Sequence, residues 1–256
     1  MHPVSTGGFS SAAGSYARAR PGYAREAVGL VKEAVRGGPL LDLAAGTGIL
    51  TGQLSRAGVE VYAAEPVPEM LEQLVRSLPG VPAVAATAEA LPFDTGSFAA
   101  LTVAQAFHWF DAPRALSEIA RVLTEGGALA MLFNVRDESA DWVRELADLV
   151  EDRSGGRPYS DQRERSWEQV VADHGAFGAA TLQTFANPVP SSPASILERL
   201  RSTSFVAVMD HESRESLLAE AAELVAGHPE LRGRERFDYP HRCEVRIWRT
   251  QGPERQ

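Results

Sequence analysis

The chain has 256 residues, of which 44% are hydrophobic and 23% charged, and its formal net charge at pH 7 is −9. These values are typical of a globular protein that is large enough to bury a substantial core. The negative charge argues against a general nucleic-acid-binding protein, which would present a basic surface. One cysteine, Cys243, excludes an intrachain disulfide and a thiolate-rich metal site, and no other metal site is predicted.

The sequence contains no run of 18 apolar residues, so we expect no membrane span. The first fifteen residues are small and polar, and they lack the charged-then-apolar layout of a signal peptide. We therefore expect a cytoplasmic protein whose residues 1–15 are flexible.

From residue 40 onward, apolar strands alternate with amphipathic helices. The strands are predicted at 40–45, 59–65, 83–86, 98–106 and 128–134, and the helices near 48–57, 68–78 and 113–123. A short helical stretch from Tyr16, interrupted at Pro21, precedes them. Near-continuous apolar strands joined by helical crossovers predict a parallel sheet that is covered on both faces.

The second half of the chain changes character. Helices are predicted at 138–153 and 163–174, a helical block at 193–228, and alternating strands at 180–190 and 241–250. The expected fold is α/β: a doubly wound, Rossmann-like, mostly parallel seven-stranded sheet with an antiparallel final strand. Residues 16–190 and 236–251 would form this core, and 191–235 a helical cap over the carboxyl edge of the sheet.

The stretch LLDLAAGTGIL at 40–50 places Gly46 and Gly48 after the first strand, where doubly wound sheets bind ligands. A glycine has no Cβ, so a ligand can approach the backbone closely. A dinucleotide fingerprint requires a third glycine, but Thr51 occupies that position, which weakens a pyrophosphate site. Asp42, inside the strand, is predicted either to support this turn or to contact the ligand.

Glu65 ends the second predicted strand, about twenty residues after the glycine turn. A carboxylate at this position can accept hydrogen bonds from both hydroxyls of a ribose. The alternative is a solvated residue at the start of the next helix, which it would stabilise through the helix dipole.

Five motifs follow one another along the chain. They are LLDLAAGTG at 40–48, the strand ending in Glu65, TAEALPF at 87–93, AQAFHWFD at 104–111 and RVLTEGGALAMLFN at 121–134. Together they resemble the motifs of class I S-adenosylmethionine-dependent methyltransferases over residues 9–135. YARARPGY at 16–23, with AQAFHWFD, is similar to a small-molecule branch that includes the trans-aconitate methyltransferase-like proteins.

The resemblance implies a bound S-adenosylmethionine, with S-adenosylhomocysteine as product. Gly46 and Gly48 would face its methionine, Glu65 its ribose, and Gln105 and Phe107 the sulfonium. Pro66 and the segment 87–89 would border the adenine. The residues implied to contact the cofactor are Tyr16, Arg20, Asp42, Ala44, Gly46, Gly48, Glu65, Pro66, Met70, Thr87, Ala88, Glu89, Gln105 and Phe107.

The chain departs from the family pattern at two positions. Ala44 replaces the first glycine, a small change that we expect to be tolerated. Thr87 stands where many relatives carry an aspartate against the adenine amino group, and a hydroxyl would bind that group more weakly.

Residues at the same sheet edge are implied to bind a small-molecule acceptor; they are Tyr23, His108, Trp109, Asn134 and Arg136. Arg20 is a candidate partner for a carboxylate. His108 is the predicted catalytic base if the nucleophile must lose a proton, although it could equally pack among its aromatic neighbours. Nucleic-acid and membrane partners are not expected, and the protein would be a monomer or homodimer.

Three alternatives remain open from the sequence. A relative of this fold can use the bound cofactor for cyclisation, elimination or rearrangement instead of methyl transfer. A nicotinamide oxidoreductase shares the parallel sheet, but Thr51 disfavours it. The third alternative is a binding or regulatory protein without catalysis.

Overall fold

The structure, a computed structural model, describes residues 21–154 and 166–251. The predictions for Tyr16, Arg20 and the segment 1–15 therefore lie outside the described residues. None of the helices in the described part is long and apolar enough to cross a membrane.

Strands and helices alternate through the first half of the chain. The strands are β1 (Leu40–Leu43), β2 (Val61–Ala64), β3 (Ala83–Val84), β4 (Phe98–Ala104), β5 (Leu123–Arg136), β6 (Thr181–Ala186), β7 (Val189–Ser191), β8 (Phe237–Tyr239) and β9 (His241–Arg249). The helices are α1 (Arg25–Ala34), α2 (Ile49–Arg56), α3 (Pro68–Ser77), α4 (Ala112–Val122), α5 (Asp141–Ser154), α6 (Trp167–His174), α7 (Pro193–Arg201), α8 (Ser204–Ala207) and α9 (His211–Gly227). A short 3₁₀ helix spans Phe107–Trp109.

Seven strands form one sheet in the order β3-β2-β1-β4-β5-β9-β6. The five strands from β3 to β5 are parallel. β9 reverses direction: Thr250 N–H donates to Gly127 O at one end of its pairing with β5, and Asp137 N–H donates to Pro240 O at the other. Phe177 and Thr250 form an antiparallel bridge on the β6 side. The predicted mostly parallel seven-stranded sheet with an antiparallel final strand is confirmed.

The inner strands of this sheet are almost continuously apolar because both faces of the sheet are covered at these strands. All four residues of β1 are buried, because helices cover the sheet. Helix α1 buries Ala27, Val28, Val31 and Ala34, which recur at the helical spacing of three to four residues. These side chains share one hydrophobic cluster with Leu40 of β1.

The described residues divide into two compact units. The first contains 21–134, 166–185 and 243–251, and the second contains 135–154 and 186–242. The second unit has its own apolar cluster, built around Trp142, Leu217 and Tyr239. It includes the stretch 191–235 together with residues that we had predicted to join the sheet domain, and the role of 191–235 as a cap stays a prediction.

One predicted element, the strand 180–190, was wrong in extent. The predicted strand 180–190 is split into β6, in the large sheet, and β7, which pairs with β8 in a two-stranded antiparallel sheet. Pro188 lies at the break and has no N–H to continue a ladder. The predicted helical block 193–228 consists of three helices, and Asp210 caps the last of them, its side chain accepting from Ser213 N–H at 2.9 Å.

Candidate active site

The carboxyl ends of β1 and β4 meet at the point where the strand order reverses, so this edge of the sheet is the expected ligand position. The turn after β1 adopts left-handed backbone conformations at Ala44 (φ +53°), Gly46 (φ +60°) and Gly48 (φ +85°). Ala44 bears a Cβ in a conformation that favours glycine, so the turn stores a small strain at this position. Such strain marks a backbone shape that the surrounding structure enforces.

Asp42 supports the turn through hydrogen bonds to α2 and β4. Its carboxylate, 1% exposed, accepts hydrogen bonds from Thr51 Oγ1 at 2.6 Å and from Thr102 Oγ1 at 2.7 Å. Burial raises the pKa of Asp42 to about 6, although the two hydroxyl bonds act in the opposite direction. Both oxygens thus have partners within the protein, which favours the structural role of Asp42; its cofactor contact stays a prediction.

Glu65 lies directly after β2 and is buried, with 3% exposure. One carboxylate oxygen accepts from Gly46 N–H at 2.8 Å and the other from Val67 N–H at 2.9 Å. Burial raises the pKa of Glu65, the two backbone bonds oppose this, and the charge of Asp42 adds to it. The contact with Gly46 brings the predicted ribose partner directly onto the glycine turn.

The two glycines of the turn have different surroundings. A Cβ on Gly48 would lie 3.0 Å from Leu74 Cγ and from Leu78 Cδ1, so a side chain here would crowd these two leucines at α3. Among the described residues, a Cβ on Gly46 would meet only Met70 Sδ, at 3.9 Å. Gly46 therefore faces space that its packing does not fill, and Met70 borders that space.

The hydroxyl of Thr47 indicates whether the turn is suited to a ligand. Its side chain is 7% exposed, and its Oγ1 has no hydrogen-bond partner among the described residues. A buried hydroxyl left in this state costs free energy, and such groups in native structures call for an explanation. An unpaired donor beside the open Gly46 position fits a polar ligand such as the amino-acid part of the predicted cofactor.

A chain of hydrogen bonds connects the ends of β4 and β5 with the N-terminal segment. Gln105 takes a left-handed conformation (φ +55°) directly after β4, and its Nε2 donates to Asn134 O at 3.0 Å. Asn134 Nδ2 donates to Gly22 O at 3.1 Å. Tyr23 and Gln53 of α2 exchange two hydrogen bonds, of 2.9 and 2.8 Å. The structure thus brings Tyr23, Gln105 and Asn134 to the same edge as the glycine turn.

The 3₁₀ helix after β4 carries the aromatic motif. Phe107 is 1% exposed and packs edge-to-face on Trp167 at a ring distance of 5.1 Å, which is a core position. His108 and Trp109 are half-buried, with tilted rings 4.6 Å apart. The predicted roles of Phe107 at the sulfonium and of His108 as a base remain predictions.

The segment 87–93 is held by α4. Arg121 donates to Leu91 O and Phe93 O, and Glu118 accepts from Leu91 N–H at 2.8 Å. The Arg121 guanidinium lowers the pKa of Glu118 to about 2. This pair fixes the path of the segment from Leu91 to Phe93, which follows the turn closed by an antiparallel bridge between Thr87 and Ala90.

Within this segment Ala88 is buried, while Thr87 and Glu89 are half-buried. Glu89 Oε1 accepts from Asp111 N–H at 3.0 Å, next to the start of α4. Pro66 follows Glu65 and is half-buried. Arg136, the last residue of β5, belongs to the second compact unit.

Several contributors were not predicted from the sequence: Thr47, Gln53, Thr102, Glu118 and Arg121. Thr47 gave a usable signal, because it is the one polar side chain in AAGTG. The other four act across 27 to 60 residues, and no local pattern indicates their partners. No group of three His, Cys, Asp or Glu side chains in the described ranges is placed to hold a metal ion.

Residues 41–131, which span the glycine turn, Glu65 and Gln105, match the family described as a methyltransferase domain. An uncharacterized methyltransferase of Mycobacterium tuberculosis (strain H37Rv) is 37% identical over 192 residues, which are 75% of this chain and 75% of that protein. The chain belongs to the class I S-adenosylmethionine-dependent methyltransferases. As a member of this family it is an enzyme of methyl transfer, and the resemblance seen in its motifs is confirmed at the level of the family.

Two further proteins are similar to this methyltransferase. An uncharacterized methyltransferase-like protein of Schizosaccharomyces pombe is 30% identical over 200 residues, covering 75% of this chain and 74% of that protein. A solved structure from Anaeromyxobacter dehalogenans, provisionally assigned as a type II methyltransferase, has a TM-score of 0.62 at 24% identity and covers 91% of this chain and 97% of its own. This structural likeness supports the fold.

Proposed function

We propose that this methyltransferase binds S-adenosylmethionine at the carboxyl edge of β1 and β2 and transfers its methyl group to a small molecule. One observation carries the cofactor site: buried Glu65 receives the Gly46 N–H at 2.8 Å. This contact joins the two elements that the family motifs assign to different parts of one cofactor. It supports a single binding surface that runs from the glycine turn to the end of β2.

The bonding of Glu65 supports its assignment to a ribose. Each of its carboxylate oxygens accepts one backbone N–H, and each oxygen has two lone pairs. One acceptor position per oxygen therefore remains for a hydroxyl, which matches two neighbouring hydroxyls on a sugar. The two backbone bonds also fix the orientation of the carboxylate before a ligand binds, which lowers the entropy lost on binding.

S-adenosylmethionine supplies a methyl group already activated on a sulfonium, so the protein contributes mainly positioning and exclusion of water. Gln105, held by Asn134 in its left-handed conformation, would shape the backbone at the end of β4. Thr47 would donate its unpaired hydroxyl to the amino-acid end of the cofactor. Met70 and Gly46 would border that end.

The residues proposed to bind the methyl acceptor are chosen by their position in the fold, and the class of acceptor by the net charge of the chain. Tyr23 and Asn134 are tied to the same sheet edge, and His108 and Trp109 follow β4 directly. His108 would take a proton from the acceptor where the nucleophile carries one. A net charge of −9 supports a small molecule over a nucleic acid as the acceptor.

Methyl tracing tests the proposal. The enzyme is incubated with S-adenosylmethionine labelled in its methyl group and with a cell extract divided into a small-molecule fraction and a macromolecular fraction. We expect label to enter the small-molecule fraction, with matching release of S-adenosylhomocysteine, and Glu65→Gln to abolish both. Label confined to protein or RNA would contradict the small-molecule acceptor.

Product analysis separates methyl transfer from its alternatives. Cofactor consumption without S-adenosylhomocysteine, or an acceptor that changes without gaining the label, would indicate elimination, cyclisation or rearrangement.

A further inference from the structure

A cavity of about 400 Å³ lies between the last turns of α1 and the outer strands β9 and β6. Its lining residues come from α1 and the turn after it, from β9, and from the segment that leads into β6. All of them belong to the first compact unit. The volume is within the range of small-molecule sites in proteins.

The cavity borders an uncovered part of the sheet. Ala34 of α1 and Ile247 of β9 belong to one buried apolar cluster. Thr181 and Leu182 of β6 are both exposed, and successive side chains of a strand point to opposite faces, so both faces of β6 are open in the described structure. Leu30, Ala34 and Ile247 line the cavity and give it an apolar wall where the core ends.

Two arginines line the same cavity: Arg36, just after α1, and Arg249, at the end of β9. Arg36 is exposed, and its guanidinium makes neither a hydrogen bond nor an ion pair with the described residues. Arg249 is half-buried, and its Nη1 donates to Gly126 O at 3.3 Å. A guanidinium carries five N–H donors, so both side chains keep donors for an acceptor atom in the cavity.

The charges that line the cavity favour an anion. Burial lowers the pKa of Arg249, and the positive charge of Arg36 lowers it further, so the two guanidinium groups repel each other. Glu33 is the one acidic lining residue, and it forms no ion pair with either arginine within the described ranges. An anion held by both arginines would relieve the repulsion and replace part of the water that Arg249 loses.

The backbone that carries Arg36 is held in place. Arg36 has a left-handed conformation (φ +46°), which a residue with a Cβ adopts only when its surroundings enforce it. A Cβ on Gly38 would lie 2.9 Å from Ala99 Cβ, so the turn that follows Arg36 packs directly on β4. This packing fixes the point from which the Arg36 side chain leaves the backbone.

The cavity lies at the amino edge of the parallel strands, opposite the proposed cofactor site. Arg36 precedes β1, and Arg249 ends the antiparallel β9 and reaches Gly126 near the start of β5. The glycine turn and Glu65, in contrast, follow the ends of β1 and β2. A ligand in the cavity would therefore not be methylated there, and the inference does not depend on the proposed function.

We propose that this cavity is a second binding site, for a small molecule that carries a carboxylate or phosphate group on a short apolar body. Arg36 and Arg249 would hold the acidic group through charge-assisted hydrogen bonds. Leu30, Ala34 and Ile247 would pack on the apolar part. An inorganic anion would leave the apolar wall uncovered, and a neutral molecule would leave the two arginines without an acid.

Calorimetry with three probes of equal chain length tests this assignment. Hexanoate, hexyl phosphate and the uncharged hexanamide are titrated, at matched ionic strength, into the wild type, Arg36→Gln, Arg249→Gln, Ala179→Phe and Arg76→Gln. Ala179 is an exposed lining residue, so a larger side chain there occupies the cavity without displacing the core. Arg76, an exposed arginine of α3, is the control for charge. Thermal unfolding without probe reports whether each variant is folded.

We expect hexanoate or hexyl phosphate to bind saturably to the wild type and to Arg76→Gln, and the tighter of the two identifies the acidic group. Hexanamide should bind the wild type at least tenfold more weakly. The charged probe should bind at least fivefold more weakly to each of the other two arginine variants and at least tenfold more weakly to Ala179→Phe.

The site is wrong if neither charged probe binds the wild type, or if hexanamide binds as tightly as they do. It is also wrong if Arg36→Gln binds the charged probe as tightly as Arg76→Gln, or if a folded Ala179→Phe keeps the wild-type affinity. Arg36 and Ala179 are both exposed, so the test stands even if Arg249→Gln, which loses the bond to Gly126, does not fold.

Discussion

Thr51 donates a 2.6 Å hydrogen bond to the buried carboxylate of Asp42 and so ties helix α2 to strand β1 beneath the glycine turn. Thr102 of β4 binds the other carboxylate oxygen at 2.7 Å. The two hydroxyls replace the water that Asp42 loses on burial. Thr51 occupies the place of the third glycine of a dinucleotide fingerprint, and here its side chain supports the turn.

We predict that Thr51→Val destabilises the protein by about 1–3 kcal/mol at pH 8, because it leaves a buried carboxylate short of one donor at nearly constant volume. Urea denaturation gives the free energy of unfolding. Thr95→Val, at an exposed position, is the matched control and should change it by less than about 0.5 kcal/mol. Equal effects of the two substitutions would contradict the role of Thr51.

Asp42 should also make stability depend on pH. Its pKa is about 6 in the folded state, against an ordinary value of 3.8, so the native protein binds more protons than the unfolded chain between these values. Stability from this group is therefore fully present below pH 3.8 and is lost as pH rises through 6, by on the order of 3 kcal/mol.

Asp42→Asn removes this titration. We expect the free energy of unfolding of the wild type, relative to the variant, to fall between pH 4 and 7 and then to level off. Denaturation of both proteins at unit steps of pH measures the difference, in which Glu65 largely cancels because both proteins contain it. A difference that is constant, or that rises with pH, would contradict the assigned pKa.

Substitution by alanine should have different effects on stability and on ligand binding at Gly46 and at Gly48. Both have positive φ, so each alanine costs about 1 kcal/mol of strain. Gly58→Ala measures that cost alone, because its φ is +81° and no atom of the described residues lies within 4 Å of the added Cβ. Gly48→Ala should cost a further 1–3 kcal/mol or so through contact with Leu74 and Leu78.

Gly46→Ala should match the Gly58 control in stability but bind S-adenosylhomocysteine at least tenfold more weakly, because the new methyl group projects into the proposed ligand space. The measurements are urea denaturation and calorimetry. If Gly46→Ala binds S-adenosylhomocysteine as tightly as Gly58→Ala, no ligand approaches that turn.

Thr47→Val should act in the opposite sense to Thr51→Val. The hydroxyl of Thr47 is buried without a partner in the described structure, so its removal should leave stability unchanged or raise it by about 1 kcal/mol. Affinity for S-adenosylhomocysteine should fall several-fold if the hydroxyl binds the cofactor. Lower stability with unchanged affinity would instead give Thr47 a structural role.

The sequence predicted the parts of the fold that depend on local patterns. Apolar strands and amphipathic helices indicated the sheet, and the ends of β1 and β2 placed Gly46 and Glu65 at one edge, since the ends of parallel strands meet there. The direct bond between these two residues follows from that placement. The break at Pro188 was missed because the alternating pattern continues across it.

The supporting contacts could not be predicted. Asn134 reaches Gly22 across 112 residues and Thr102 reaches Asp42 across 60, so no local pattern pairs them. The left-handed conformation of Gln105 is equally invisible, because nothing in its residue type requires it. The packing of Phe107 on Trp167 was also not predictable, because the two residues lie in separate parts of the chain and no local pattern pairs them.

The central claim is that buried Glu65, held by Gly46, binds the cofactor. Its most direct test is calorimetric titration of S-adenosylmethionine and S-adenosylhomocysteine into the wild type, Glu65→Gln and Glu72→Gln, the last being an exposed glutamate of α3. We predict saturable binding to the wild type and to Glu72→Gln, and binding at least tenfold weaker to a folded Glu65→Gln. Equal affinity in Glu65→Gln and the wild type, or no binding to the wild type, would contradict this assignment of the site.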